Sequence, residues 1–249
     1  MNAYRWASLT YEEAAVALAA HSVAILPLGS IEPHGPHLPL ETDIIIAEGM
    51  ARRAAEILNA KNIPAFVLPA IPFTVTEFAH GFPGGVSLGN DAVGTYYENV
   101  FRSLLEMGFA CVAIANAHLE PEHIQAIHSA QEKCGNRIIF PDITLKPWAL
   151  QLTDEFKKGE CHAGQFETSL VMADAPALVR EEIRITLPDI PISLSKAIRD
   201  GKKSFVEMGS ARAYFGTPRS ATAEEGRKTF EILAGMIVEE VVNKYKIIR

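Results

Sequence analysis

The sequence predicts an α/β fold in which a mostly parallel sheet carries helices on both of its faces. Short apolar segments alternate with longer amphipathic segments along most of the chain, which is the order expected when each strand is followed by a crossover helix. The apolar segments are continuous, as is typical of strands buried on both faces. With 249 residues, 48% of them hydrophobic, the chain can bury a full core, and one domain over residues 1–249 is favoured over two small ones.

The predicted strands are short and apolar. Residues 23–28 form the first strand, which leads into a loop rich in proline and glycine. Further strands are predicted at residues 65–71, 110–115 and 137–140. A long irregular segment, residues 72–90, contains Thr76 and His80, and loops of this length inside a compact domain are typically functional.

The predicted helices begin at recognisable capping residues. Thr10 and Glu13 match a capping box, so a first helix should start there and run to about Ala20. Pro121 suits the first turn of another helix, which extends over residues 122–132. Further helices are predicted at residues 43–60, 91–107, 150–158, 165–173 and 223–245. We expect residues 188–219 to be irregular and to lie over the functional site or at a subunit contact.

Composition argues against several classes of function. The formal net charge of −7 disfavours a nucleic acid or an anionic membrane as partner. No apolar run approaches the roughly 20 residues of a membrane-spanning helix. Glu12 and Glu13, which precede the apolar stretch 14–28, have the wrong charge for an export signal. Three widely spaced cysteines form neither a disulfide framework nor a zinc motif, so we expect a cytoplasmic location.

Carboxylates and imidazoles follow the first and third predicted strands. Glu32 and His34 follow the first strand, and His118 and Glu120 follow the third. In an extended loop, a spacing of two residues lets both side chains of a pair point the same way. Asp43 stands at the start of the next helix. Because the carboxyl ends of parallel strands meet at one rim of a sheet, we expect these groups to converge.

Two imidazoles and three carboxylates can hold two divalent ions, with Asp43 bridging between them. Mixed nitrogen and oxygen ligands favour Zn²⁺, Mn²⁺ or Fe²⁺ over Mg²⁺ or Ca²⁺. Such ions activate water near neutral pH and polarise a carbonyl group, so the pattern predicts hydrolytic chemistry. Each residue alone has another interpretation. Asp43 fits a helix cap, His118 a buried core histidine, and Glu120 a carboxylate beside a helix N-terminus.

The other histidines have different predicted roles. His162 stands on a glycine-flanked loop, where a flexible, exposed imidazole can act as general acid or base. Glu167 either orients His162 or is a first-turn helix carboxylate. His37 lies one residue out of phase with the ligand pair of its own loop, which favours a scaffolding role. The interpretation of His80 is open, and three histidines are expected on the surface: His21, His123 and His128.

Taken together, these motifs resemble those of a known protein family. The segment Glu32–Pro39 (EPHGPHLP), followed by Thr42 and Asp43, resembles the signature of the creatininase family, the creatinine amidohydrolases. The resemblance continues through residues 82–84, 116–120 and 162–169 and spans about residues 26–170. It implies a three-layer α/β/α fold around a parallel sheet, a binuclear metal site and, commonly, a homohexamer.

The resemblance also implies roles for individual residues. By position, one ion would be held by Glu32, Asp43 and His118, and the other by His34, Asp43 and Glu120. His162 would match the family's catalytic histidine, which passes a proton to the leaving nitrogen. We therefore predict His162 and Glu120 as the catalytic residues.

The wall of the substrate pocket departs from that of creatininase. The tryptophans that close over a flat guanidine-type ring are missing before His162, where Lys158 and Gly159 stand instead. Leu119 replaces a tyrosine, and Thr76 replaces a serine that contacts the substrate. Creatinine is therefore not the expected substrate. A lysine in this position suits a negatively charged or hydroxyl-rich substrate, and it is also typical of a solvated surface. The predicted substrate contacts are Thr76, His80, Leu119 and Lys158.

The predicted function is that of a cytoplasmic two-metal hydrolase that cleaves a carbon–nitrogen bond of a small polar molecule, either a cyclic amide or a formamide. Two alternatives from the same family are opening of a cyclic polyol ketone and trimming of a small modified peptide. A metal-dependent isomerase or aldolase and a non-catalytic metal-binding scaffold are further alternatives. The expected partners are a small-molecule substrate and other copies of this chain in a homohexamer.

Overall fold

A four-stranded sheet forms the centre of the fold, in a computed structural model that describes residues 4–248, with side chains up to residue 245. The strands are β1 (Val23–Leu28), β2 (Ala65–Val67), β3 (Cys111–Asn116) and β4 (Ile138–Ile139). Their order is β2-β1-β3-β4, and every pairing is parallel. The predicted parallel sheet is therefore confirmed.

Helices cover both faces of the sheet. They are α1 (Tyr11–Ala19), α2 (Thr42–Ala60), α3 (Asn90–Met107), α4 (Pro121–Cys134), α5 (Lys146–Ala149), α6 (Asp154–Lys158), α7 (Gln165–Asp174), α8 (Glu181–Arg184), α9 (Leu194–Arg199) and α10 (Ala223–Ile248). Short 3₁₀ helices span Trp6–Ser8, Pro176–Leu178 and Pro218–Ser220. Within residues 4–248, no helix combines the length and the apolar character needed to cross a bilayer.

Alternate residues of β1 pack into two separate cores, as a strand buried on both faces requires. Val23 and Ile25 belong to the core formed with α2 and α10. Ala24 and Leu26 belong to the core formed with α3 and α4. Helix, sheet and helix therefore form three layers, which confirms the expected α/β/α fold.

A smaller apolar cluster lies apart from these two cores. It contains Ala79, Phe205, Met208, Ala213 and Phe215, all of them buried. We call it the roof cluster, because its residue Phe205 lines the wall of the cavity described below. Side chains of α9 pack against it.

Three helices approach one another closely behind the sheet. A Cβ atom on Gly49 of α2 would lie 2.6 Å from Asp174 Oδ2 on α7 and 2.6 Å from the Phe230 ring on α10. Arg53 of α2 donates to both carboxylate oxygens of Asp174, at 3.0 and 2.6 Å. Its guanidinium carbon also lies 4.0 Å from the centroid of the Phe230 ring.

Several predicted boundaries are wrong, each for a local reason. Strand β2 ends at Val67, because Pro69 has no N–H with which to continue a ladder. The helix predicted from residue 150 begins at Asp154, because the Thr153 hydroxyl caps it by accepting from Phe156 N at 3.4 Å. The segment 188–219, predicted as irregular, contains α9, whose first turn is capped by Ser193.

Candidate active site

The loops after β1 and β3 lie side by side and bring the predicted ligands together. Leu28, the last residue of β1, is paired in register with Asn116, the last residue of β3. The ligand pairs Glu32 with His34 and His118 with Glu120 follow within a few residues, and all four side chains are buried. Asp43, in the first turn of α2, is also buried and lies between the two imidazoles.

Backbone carbonyl groups fix the orientation of both imidazoles. His34 Nδ1 donates to the Glu32 carbonyl at 3.1 Å, which leaves Nε2 as the free ring nitrogen. His118 Nε2 donates to the Val75 carbonyl at 2.8 Å, which leaves Nδ1 facing the cluster. Such bonds to the second ring nitrogen are typical of metal-binding histidines.

Asp43 presents a different oxygen to each imidazole. Its Oδ1 lies 3.1 Å from His34 Nε2 and its Oδ2 lies 3.1 Å from His118 Nδ1. Although His34 Nε2 is fully buried, it makes no hydrogen bond within the described part of the chain. A buried, unpartnered nitrogen that faces carboxylates is the donor atom that a cation would occupy.

The ligand atoms fall into compact groups that differ in part from the groups implied by the resemblance. His34, Asp43 and Glu167 form one group and Glu32, His118 and Glu120 form another, with the ligand atoms of each group within 4.8 Å of one another. Glu167 thus stands where Glu120 was expected, beside His34, with Oε2 at 3.4 Å from Nε2. The sequence predicts Glu167 only as a residue that orients His162 or as a first-turn helix carboxylate, because its spacing from His162 differs from that of the two ligand pairs.

The electrostatics of the cluster favour bound positive charge. Burial opposes protonation of His34, but the carboxylates of Asp43, Glu167 and Glu32 outweigh burial and raise the pKa of His34 to about 10. Burial likewise opposes protonation of His118, yet Glu32 and Asp43 raise its pKa well above the usual value. Burial raises the pKa of Glu167 to about 8. A divalent cation would displace these protons, so the donor set fits a metal ion.

His162 is buried beside the cluster, whereas the sequence predicted an exposed, flexible side chain. Only 7% of the residue is exposed. Its Nε2 donates to the Pro33 carbonyl at 3.0 Å, and its Nδ1 lies 3.8 Å from Glu32 Oε1. Burial, helped by the nearby charge of His34, lowers the pKa of His162 to about 4. The imidazole is therefore neutral at pH 7, with Nδ1 available as a proton acceptor.

The loop that carries His162 is tied to Glu167. Ala163 adopts a left-handed backbone conformation, with φ of 49°. Its N–H donates to Glu167 Oε2 at 2.6 Å. This turn brings the imidazole of His162 and the carboxylate of Glu167 to the same cluster.

Two of the predicted substrate contacts lie at the site: Leu119 lines the cavity, and Thr76 bonds to a carboxylate of the cluster. Leu119 lines the cavity above the cluster. Thr76 is buried and its hydroxyl donates to Glu32 Oε2, so it contacts a ligand carboxylate. The predicted catalytic Glu120 also lines the cavity and accepts from the N–H groups of Glu77 and Phe78 at 2.9 and 3.3 Å.

The other two predicted substrate contacts lie outside the cavity. Lys158 is exposed, and its neighbour Lys157 lines the cavity instead. His80 is exposed and lines an adjoining depression together with Lys202. The loop histidine His37 is buried and bonds to the Thr168 hydroxyl through Nε2 at 2.9 Å, which agrees with a scaffolding role.

A buried network supports the loop after β3, and its central residue was predicted on the surface. His123 is fully buried. Its Nε2 donates to Asn116 Oδ1 at 2.7 Å, and its Nδ1 accepts from the Thr74 hydroxyl at 2.5 Å. Asn116 Nδ2 in turn donates to the His118 carbonyl at 2.7 Å. The network therefore positions the backbone of a ligand-bearing loop.

A cavity of about 330 Å³ lies over the cluster. Its floor carries charged and polar groups: Glu32, Asp43, His118, Glu120, His162 and Glu167. Its walls are mostly apolar: Phe78, Leu119, Phe156, Leu194, Ile198 and Phe205. The centroids of the Phe205 and His162 rings lie 4.3 Å apart, with the two ring planes tilted by 32°. The cavity is at the small end of the range for ligand sites in proteins.

Comparison with known proteins agrees with this geometry. The sequence model of the creatininase family, described as creatinine amidohydrolase, matches residues 7–241. A mycofactocin precursor peptide peptidase of Mycobacterium tuberculosis (strain CDC 1551 / Oshkosh) is 31% identical over 228 residues, covering 87% of this chain and 83% of the relative. A creatinine amidohydrolase of Pseudomonas putida is 27% identical over 186 residues, covering 69% and 72% of the two chains.

Solved structures share the fold. A crystal structure of creatinine amidohydrolase superposes with a TM-score of 0.76 at 22% identity and covers 97% of each chain. A manganese form of creatininase superposes with a TM-score of 0.75 at 21% identity and covers 97% of this chain and 98% of the other. Because the family match extends over nearly the whole sequence, the chain belongs to the creatininase family and is a hydrolase of that family.

Proposed function

We propose that this hydrolase binds two divalent ions and cleaves a carbon–nitrogen bond in a small amide. The observation that carries the proposal is the arrangement of Asp43, whose two oxygens lie 3.1 Å from His34 Nε2 and 3.1 Å from His118 Nδ1. One carboxylate between two oriented imidazoles is the arrangement of a bridging ligand, and the unpartnered Nε2 of His34 supports a ligand role.

The residues present can supply both ion positions. His34 Nε2, Asp43 Oδ1 and Glu167 would hold one ion. Glu32, His118 Nδ1 and Glu120 would hold the other, with Asp43 Oδ2 at 3.1 Å from His118 Nδ1. Mixed nitrogen and oxygen donors suit Zn²⁺ or Mn²⁺. When bound, two such ions would activate water and polarise the carbonyl group of the substrate.

His162 is the proton carrier of the proposed reaction. Its Nε2 proton is held by the Pro33 carbonyl, so Nδ1 is the atom that can take a proton from the attacking water. Water adds to the carbonyl carbon, the carbon–nitrogen bond breaks, and Nδ1 returns the proton to the leaving nitrogen. Glu120, which the N–H groups of Glu77 and Phe78 hold in place, lies where it can accept a hydrogen bond from the substrate or the water.

The substrate is a small amide other than creatinine, and a short peptide is the second candidate. The apolar walls of the cavity and its volume of about 330 Å³ suit one apolar group of modest size. The similarity to a peptide peptidase, at 31% identity over 87% of this chain, favours peptide trimming as the second candidate.

Metal analysis combined with two variants tests this proposal. We expect about two ions per chain in wild-type protein purified without chelator, and loss of both in Asp43→Ala. Glu41→Ala is the matched control, because Glu41 is an exposed carboxylate two residues away and outside the ligand groups. His162→Ala should retain the ions but lose about 10²–10⁴-fold in the rate of amide hydrolysis.

Two results would contradict the proposal. A wild-type protein with one ion or none, unchanged in Asp43→Ala, would show that the cluster is not a binuclear site. A His162→Ala variant that hydrolyses the amides of a test panel as fast as wild type would remove His162 from the reaction.

A further inference from the structure

The cavity above the cluster changes its chemistry from floor to rim. Four carboxylates lie on the floor. Their combined formal charge of −4, counted with all four ionised, equals in size the positive charge of two divalent ions. Apolar side chains form the walls. At the rim lie two cationic side chains, those of Lys157 and Arg199. With the floor neutralised, the charge that a substrate meets in this cavity comes from the rim.

The two rim cations differ in their partners. Lys157 pairs with Asp154 at 3.1 Å. Arg199 is exposed and has no ion-pair or hydrogen-bond partner for its guanidinium group among the side chains that the structure describes. On the same helix, Lys196 pairs with Asp200 at 3.1 Å. Arg199 is therefore the rim cation whose charge the described part of the protein leaves unneutralised.

The surroundings of Arg199 point to a substrate with an apolar part beside its charge. Leu194 and Ile198, on the same helix, line the cavity wall, and Phe205 covers the cavity next to His162. An arginine guanidinium group binds a carboxylate through two parallel hydrogen bonds, and its fixed shape makes this recognition specific. The cavity volume of about 330 Å³ suits a small molecule or the end of a chain.

We propose that Arg199 binds a carboxylate of the substrate, so that this hydrolase acts on small amides that carry a carboxylate beside an apolar group. The inference rests on the proposed amide hydrolysis and specifies its substrate class. It also transfers to Arg199 the anion-binding role that the sequence suggested for Lys158, whose side chain lies outside the cavity.

Binding of two matched probes tests the assignment. The probes are N-acetyl-L-phenylalanine and its neutral carboxamide, titrated by calorimetry into metal-loaded His162→Ala protein, in which hydrolysis should be slow. We expect the acid to bind about tenfold or more tightly than the carboxamide. Adding Arg199→Gln should bring the two affinities together mainly by weakening the acid, while Arg199→Lys should retain part of the preference. Lys196→Gln, on the same helix but outside the cavity, should keep the full preference.

The outcomes separate this inference from the function on which it rests. Equal binding of the two probes, no binding of the acid at millimolar concentration, or a preference that survives Arg199→Gln would each overturn the assignment. If the ions are present and wild type hydrolyses the acid and the carboxamide at the same rate, the proposed hydrolysis stands and the role of Arg199 fails. If the acid binds through Arg199 but neither probe nor any other amide is hydrolysed, the proposed function fails instead.

Discussion

The Asp174→Asn substitution is expected to destabilise the packing of the two helices that carry Asp43 and Glu167, two of the proposed metal ligands. Asp174 near the end of α7 accepts from Arg53 and Arg52 near the middle of α2. The same two helices carry Glu167 and Asp43 in their first turns. The ion pair therefore joins these two helices at a point remote from the site, so that stability can be changed without altering a proposed ligand.

The expected loss follows from the geometry of these bonds. The Asp174 side chain is 12% exposed and that of Arg53 is 20% exposed, so their two-pronged pair is largely shielded from water. The bond from Arg52 counts for less, because that side chain is 35% exposed. An amide keeps one acceptor oxygen but loses the charge and the second acceptor. We expect the free energy of unfolding to fall by about 1.5–3 kcal/mol, which lowers Tm by roughly 3–12 °C.

The pH dependence gives this prediction a second readout. Burial alone would raise the pKa of Asp174, but Arg53 and Arg52 outweigh burial and hold the pKa below its ordinary value. Such a carboxyl group stabilises the fold above its unfolded pKa, about 3.9, and the contribution is lost as the pH falls through the folded pKa. The difference between wild type and variant should therefore be full at neutral pH and shrink below about pH 4.

Urea unfolding followed by circular dichroism at several pH values measures both effects. Asp200→Asn is the control, because Asp200 forms an exposed pair with Lys196 and should cost less than about 0.5 kcal/mol. If Asp174→Asn lost no more than this control, or if its deficit persisted unchanged at acid pH, the reasoning would be refuted.

Three other outcomes are expected. Gly49→Ala should lower the free energy of unfolding by about 1–3 kcal/mol, because the added methyl group would collide with Asp174 and Phe230. Gly94→Ala in α3 should raise the free energy of unfolding by about 0.5–1 kcal/mol, because the space around Gly94 is open. Urea titration measures both effects. Removing the ions with a chelator should lower Tm in wild type but not in Asp43→Ala, by the linkage of binding to folding; calorimetry with and without chelator checks this. Light scattering after size exclusion should give the mass of six chains of 27.2 kDa, as the predicted homohexamer requires, and a monomer would contradict that prediction.

The sheet, and the convergence of the side chains that follow β1 and β3, could be predicted because both depend on local patterns. Continuous apolar runs identify buried parallel strands, and the ends of such strands share one rim. The spacing of Glu32 with His34 and of His118 with Glu120 is visible without any tertiary information. The same reasoning placed Asp43 at the start of a helix on that rim.

The residues whose positions the sequence analysis got wrong or did not foresee depend on tertiary contacts that the sequence does not show. His123 is buried because Thr74, from the long segment before α3, reaches its ring across 49 positions of sequence. Glu167 reaches His34 because the turn at Ala163 adopts a left-handed conformation that glycine usually supplies. Arg199 lies at the cavity rim because α9 packs against the roof cluster. This helix has only six residues, which is too short for its pattern to be recognised in the sequence.

The separation of the roof cluster from the two main cores has a consequence for how this protein can change over evolutionary time. The cavity floor, where we propose that ions bind, depends on α2, α7 and the ends of the strands, whereas the roof cluster is a small apolar cluster of its own. The two units meet where the Phe205 ring lies against the His162 ring and where Phe215 N donates to the His162 carbonyl. Substitutions in the roof cluster away from these contacts should therefore change stability with little coupling to the floor. A lineage can therefore accumulate substitutions in that part of the roof cluster, and so change the cavity wall, while the side chains of the floor stay the same.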